Sequence, residues 1–114
     1  MEKDGTVVYI RSDRMAVGAE QLGRLLMTSF LETLASSPAK PARMLFVDSG
    51  VFLTTEGSEV LDTLKRIEAA GVEIFSCGTC LDYYRRRDNV RVGKIGNMAG
   101  TVETLMNAGR IISP

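Results

Sequence analysis

Three short apolar runs limit what this chain can fold into. They are Thr6-Val7-Val8-Tyr9-Ile10, Arg43-Met44-Leu45-Phe46-Val47 and Val72-Glu73-Ile74-Phe75-Ser76. Each is rich in β-branched and aromatic residues, the composition of a β-strand. Each gives way to a polar turn and then to a stretch with helical periodicity. The first run is apolar on both faces, as a central parallel strand is. Two weaker strand signals follow, one beginning at Val90-Arg91-Val92 and ending near Gly96, the other at Arg110-Ile111-Ile112-Ser113. The order is β-α-β-α-β-α-β-α-β. Alternation of this kind predicts an α/β fold: a parallel sheet with right-handed crossovers and helices on both faces. At 114 residues and 45% hydrophobic content the chain supports one core, so it reads as a single domain over 1–114.

The helices are legible from spacing. The first is expected from about Ala19 to Ser36, with Leu22, Leu25, Leu26, Ser29 and Phe30 on one face. Met27, Leu31 and Leu34 widen that stripe, and the helix reads as deeply packed. Its second apolar edge would otherwise meet another subunit. Pro38 and Pro41 end it. Val51 to Thr55 reads as a loop packed by its own apolar residues. The second helix is expected from about Ser58, as N-cap, to Ala70, with Gly71 beyond its end. The third spans about Thr79 to Arg87, with Leu81 and Tyr84 inward and Arg85-Arg86-Arg87 complementing the dipole in its last turn. Asn97-Met98-Ala99-Gly100 opens the last helix, with Met98, Val102, Leu105 and Met106 on one face.

Composition excludes several functions. Fourteen Lys and Arg balance fourteen Asp and Glu, which argues against a nucleic-acid partner and against an anionic membrane surface. No apolar run reaches the roughly 18 residues of a membrane span. Met1-Glu2-Lys3-Asp4-Gly5 lacks the regions of a signal peptide, so a cytoplasmic location is expected. There is no histidine, which removes Cys–His dyads and His metal sites. The two cysteines, Cys77 and Cys80, are three apart and cannot form a disulfide framework.

Topology says where a site lies. In an open parallel sheet, ligands bind beyond the carboxyl ends of the strands. There the chain places Arg11, Ser12, Asp13 and Arg14 after the first strand, and Asp48, Ser49 and Gly50 after the second. Cys77-Gly78-Thr79-Cys80 follows the third, and Gly96, Asn97 and Met98 the fourth. A thiolate is the reactive form of cysteine, and a helix start favours it. In C-x-x-C motifs the first cysteine is commonly the exposed attacker, so Cys77 is expected as nucleophile and Cys80 as resolving thiol. Arg11 or Arg14 would add positive charge. Asp13, Asp48 and Asp82 are candidate proton acceptors, each equally suited to capping or turning the chain.

Other readings of the pair are weaker. Structural zinc wants four ligands, so a site would have to be shared across a two-fold axis or completed by carboxylates. A thioredoxin-like site follows an early strand and faces a cis-proline, whereas this motif follows the third strand and the prolines lie at 38, 41 and 114. No G-x-G-x-x-G and no G-x-x-x-x-G-K-[ST] is present. Two small buried hydrophobes remain an alternative. No cofactor or metal is called for.

Several blocks resemble the DsrE-like superfamily, and within it the DsrE-type domain of YedF, the sulfurtransferase-like selenium metabolism proteins. They are Leu22-Gly23, Val47-Asp48-Ser49-Gly50-Val51, Gly57-Ser58-Glu59-Val60-Leu61, Gly71-Val72-Glu73-Ile74, Val92-Gly93, Asn97-Met98 and above all Cys77-Gly78-Thr79-Cys80-Leu81-Asp82-Tyr83-Tyr84. The resemblance implies a three-layer α/β/α fold with a five-stranded parallel sheet and association into homo-oligomers. It implies sulfur-relay chemistry, with sulfane sulfur or selenium carried on a cysteine that maps to Cys77. It also implies a donor or acceptor protein as partner, TusA-like by analogy with the domain that usually accompanies this type. Arg11, Ser12, Asp48, Ser49, Gly50, Gly78, Thr79 and Asn97 would then bind substrate or partner. A non-enzymatic module that docks such a partner, or a small anion, is the alternative.

Overall fold

The computed structural model describes residues 5–114, so the N-terminal segment behind the signal-peptide reading lies mostly outside the described residues. Five strands form one parallel sheet: β1 (Thr6–Ile10), β2 (Arg43–Phe46), β3 (Glu73–Cys77), β4 (Lys94–Gly96) and β5 (Arg110–Ile112). Their order is β4-β3-β2-β1-β5. The helices are α1 (Glu20–Ser36), α2 (Leu61–Ala69), α3 (Gly78–Tyr83) and α4 (Met98–Met106), with a 3-10 turn at Asp48–Leu53 and another at Arg87–Asn89. This is the expected α/β architecture, with helices on both faces.

Register divides the sheet into two faces. Val8, Met44 and Ile74 stand side by side, as do Ile10, Phe46 and Ser76. These residues are buried against Met27 and Leu31 of α1, Leu64 and Ile67 of α2, Val51 and Leu81. Side chains alternate along a strand, so Arg43, Leu45, Glu73 and Phe75 point to the other face. There Thr104 of α4 accepts from Arg43 Nη1 at 2.8 Å, and a cavity of about 240 Å³ lies between α4 and Leu45 and Phe75.

Three helical details differ from expectation. In α1 the buried row is Gly23, Met27 and Leu31, while Leu22, Leu25 and Leu26 are exposed. Gly23 decides this: a Cβ there would lie 2.8 Å from the Met15 carbonyl oxygen, so only glycine lets the helix sit down on the preceding loop. In α2 the N-cap is Val60; Ser58 lies two residues outside and accepts from the Val60 N–H at 3.1 Å. Gly71 follows the helix at φ +103°, the left-handed stop foreseen for it. Finally, α3 ends at Tyr83, so the three arginines do not cap it. Arg85 itself adopts φ +58°. Arg86 donates to the Glu56 carbonyl at 3.0 Å and lies over the Phe52 ring, while Arg87 pairs with Asp82 at 2.6 Å. They tie α3 to its neighbours.

Candidate functional site

The carboxyl ends of β1, β2 and β3 meet at one edge because the strands are adjacent and in register. Cys77 is the last residue of β3, paired across to Gly96, and is 6% exposed. Cys80 lies one turn into α3 and is half-buried. Both thiols are free, and the neighbouring Cys77 thiol acts on the ionisation of Cys80. The exposure order is thus the reverse of that expected for an outer attacker at Cys77. Gly78 permits the tight entry into α3. A Cβ there would approach the Arg87 guanidinium at 2.9 Å and the Gly96 carbonyl oxygen at 3.0 Å.

The N–H seen on a sulfur does not come from the start of α3. It comes from Asp48, whose backbone amide donates to Cys80 Sγ at 3.1 Å. Asp48 sits at φ +52°, in the left-handed region that Asp and Asn tolerate better than most residues. Its carboxylate accepts from the Tyr84 hydroxyl at 2.8 Å. The Tyr84 ring packs on Phe52, centroids 4.6 Å apart, and edge-on to Tyr83 at 5.2 Å. Just beyond, Gly50 brings the 3-10 turn against β1. A Cβ on it would lie 2.6 Å from the Ile10 carbonyl oxygen, so close backbone approach is what glycine serves here.

Electrostatics follow from these contacts. Burial pushes the Cys80 thiol up, and the hydrogen bond with Cys77 adds to that. The Asp48 N–H opposes both, while the Asp48 charge reinforces them. Tyr84 is also pushed up, first by its hydrogen bond to Asp48, so it remains a donor at neutral pH.

Beside Asp48 lies an open groove of about 760 Å³, lined by Arg11, Ser12, Arg14, Val47 and Asp48 among others. Ser49 Oγ accepts from the Asp13 N–H at 3.2 Å and contacts Ser12 Oγ at 3.4 Å, which joins the loops after β1 and β2. Arg11 is exposed and has no hydrogen-bond or ion-pair partner among the described residues. Arg14 leans toward Asp13 at 3.6 Å and Glu20 at 3.7 Å. Asp82 is held below the usual carboxylate range by its hydrogen bond from Arg87. Among the described residues, no group of three His, Cys, Asp or Glu could hold a metal ion.

The expected site residues are therefore only partly assembled. Cys77, Cys80, Gly78 and Asp48 are in contact or adjacent, Arg11 and Ser12 border the groove beside Asp48, and Ser49 contacts Ser12. Thr79 is exposed on α3. Asn97 lies off to one side and is engaged as the N-cap of α4, accepting from the Gly100 N–H at 2.8 Å. Tyr84 was missed as a site residue. Its signal was present: it stands four residues after Cys80, which places both on one side of a helical turn.

No protein-family model and no curated protein matches the chain. Solved structures do. YchN from E. coli superposes with a TM-score of 0.74 over 97% of this chain and 99% of its own, at 14% identity. MTH1491, a protein of unknown function from Methanobacterium thermoautotrophicum, superposes with a TM-score of 0.65 over 96% of this chain and 97% of its own, at 19% identity. At such identities the likeness is one of fold, and the chain has a DsrE/YchN-like α/β fold.

Proposed function

We propose that the chain is a sulfur-relay domain, taking sulfane sulfur or selenium from a donor onto the Cys77–Cys80 pair and handing it to an acceptor. The observation that carries this reading is the pair itself. Two free thiols, three residues apart, lie at the carboxyl edge of a parallel sheet, with the Asp48 backbone N–H on one sulfur and an open groove on the other side of Asp48. The chemistry needs no cofactor. A cysteine thiolate attacks the outer sulfur of a donor persulfide R–S–SH. A new S–S bond forms, the old one breaks, and R–S⁻ leaves with the electron pair and takes up a proton. An acceptor thiolate removes the outer sulfur by the same exchange. Alternatively, the second cysteine attacks the inner sulfur and expels HS⁻, and a dithiol reductant then restores the resulting disulfide.

The reading extends to a TusA-like donor or acceptor, to self-association and to a cytoplasmic setting. No helix among the described residues is long and apolar enough to cross a membrane. The test is mass spectrometry of the protein after exposure to a small-molecule persulfide. One added sulfur on the 77–80 peptide is expected, and an unmodified peptide under conditions that label a control surface thiol would sink the proposal. Arg11, unpaired on the groove, favours a second reading as a module that docks an anionic partner without chemistry. Under that reading Cys77→Ser leaves partner affinity unchanged.

A further inference from the structure

We infer that Cys80 is the thiol that meets the incoming sulfur, that Cys77 resolves, and that Asp48 is the residue that positions the Cys80 sulfur. This deepens the sulfur-carrier reading and rests on it for the substrate, though not for the geometry. Three observations converge. Cys77 is 6% exposed at the end of β3, whereas Cys80 is half-buried and lies against the turn that borders the groove. A macromolecular donor reaches the more exposed cysteine first. The Asp48 N–H points at that sulfur from 3.1 Å, in a left-handed turn that most side chains resist. The turn is held from its other end: Tyr84 donates to the Asp48 carboxylate, and Phe52 braces the Tyr84 ring.

The arrangement has a chemical consequence. An N–H hydrogen bond is stronger to a thiolate than to a thiol, so the Asp48 amide stabilises the attacking form. Burial, first of all, and then Cys77 and the Asp48 carboxylate work against that form, and the Tyr84 hydroxyl offsets part of the Asp48 charge. In sequence, the Cys80 thiolate takes the outer sulfur of R–S–SH and R–S⁻ departs. Cys77, three residues earlier on the same strand-to-helix turn, then attacks Cys80 Sγ, and HS⁻ leaves as the Cys77–Cys80 disulfide forms. A dithiol of the cell resets the pair. The titratable groups acting on Cys80 are Cys77 from β3, Asp48 from the turn after β2 and Tyr84 beyond α3.

The test measures alkylation rate against pH in single-cysteine proteins, so it does not depend on sulfur transfer. Cys77→Ser leaves Cys80 alone, and Cys80→Ser leaves Cys77 alone. The protein retaining Cys80 is expected to react about tenfold faster at pH 8, its greater access outweighing the upward push on its thiol. Within the Cys77→Ser background, Asp48→Asn keeps the left-handed turn and removes the charge. Its pH midpoint is expected to fall by about half a unit. Asp48→Ala disfavours the turn and withdraws the amide, and Tyr84→Phe frees the carboxylate; both are expected to raise the midpoint. Equal or faster reaction of Cys77 overturns the assignment of roles. Shifts of the same sign in Asp48→Asn and Tyr84→Phe, or none in either, overturn the positioning role. Failure of sulfur loading in the wild-type protein, with these profiles intact, would instead count against the relay function alone.

Discussion

The two faces of the sheet are built differently. One lies under α1, α2 and α3, and its residues form a continuous buried cluster from Val8 through Phe46 to Leu81. Among the described residues the other has only α4. Nine residues of helix reach about 14 Å, whereas five strands set side by side span roughly 19 Å between edge-strand axes. The second face is therefore incompletely covered, and what α4 buries is polar: Thr104, bonded to Arg43. Its apolar residues Met98, Val102 and Met106 are exposed, and Ile111 of β5, beside Val7 of β1, is exposed on the same face of the sheet. The first face carries most of the buried apolar cluster and frames the cysteines, while the second buries Val7 and Leu45. The second holds apolar surface in reserve.

The largest effect that sharpens this contrast lies on the first face. Phe46 is fully buried at the centre of the cluster. Phe46→Ala should cost about 3–5 kcal/mol, measured by denaturant unfolding, because it removes transfer free energy and leaves a cavity. A loss below about 1 kcal/mol would show that this face is not the main core. A smaller effect is electrostatic. The Thr63 hydroxyl and Arg66 of α2 both donate to the Glu32 carboxylate of α1. These contacts, the Thr63 hydrogen bond first, hold Glu32 below its ordinary range. Its folded pKa is depressed, so its contribution to stability is present above the unfolded value and is lost as pH falls through the folded one. Glu32→Gln should therefore narrow its deficit relative to wild type as pH drops below about 4.3. A deficit that stays constant from pH 7 to pH 3 would mean that the carboxylate does not join the helices in solution.

Strands were readable where β-branched runs meet polar turns, and β1, β2 and β3 fall within a residue of expectation. Their meeting point followed from topology, which is why Cys77, Cys80 and Asp48 could be placed at one edge. The buried side of α1 was not readable. Leu22, Leu25, Leu26, Met27, Phe30, Leu31 and Leu34 occupy so much of its circumference that periodicity allows more than one core row. A single close approach at Gly23 selects the inner one. In α4 the stripe was recognised, but its direction was not, because Arg43 on the second face requires a polar partner from the helix above it. The exposure order of the cysteines was hidden for a related reason. It depends on Cys77 belonging to β3 and on a turn nearly thirty residues earlier in the chain, and no local pattern reports either.

The smallest expected effect bears on the second face. Met106 is 79% exposed. In an isolated chain, Met106→Lys should change stability by less than about 0.5 kcal/mol, as surface substitutions away from special contacts do. Association should respond more strongly. If a second copy covers Met98, Val102 and Met106, as the proposed self-association expects, the buried ammonium would be unpaired and would oppose assembly. Sedimentation of the wild type should then depend on concentration, and that of Met106→Lys should shift toward the monomer while its unfolding midpoint in dilute solution stays in place. A wild type that sediments as a monomer at every concentration would remove the second copy as the cover. The contrast between the faces would then rest on the geometry of α4 alone, and the exposed row would be surface that the single chain tolerates.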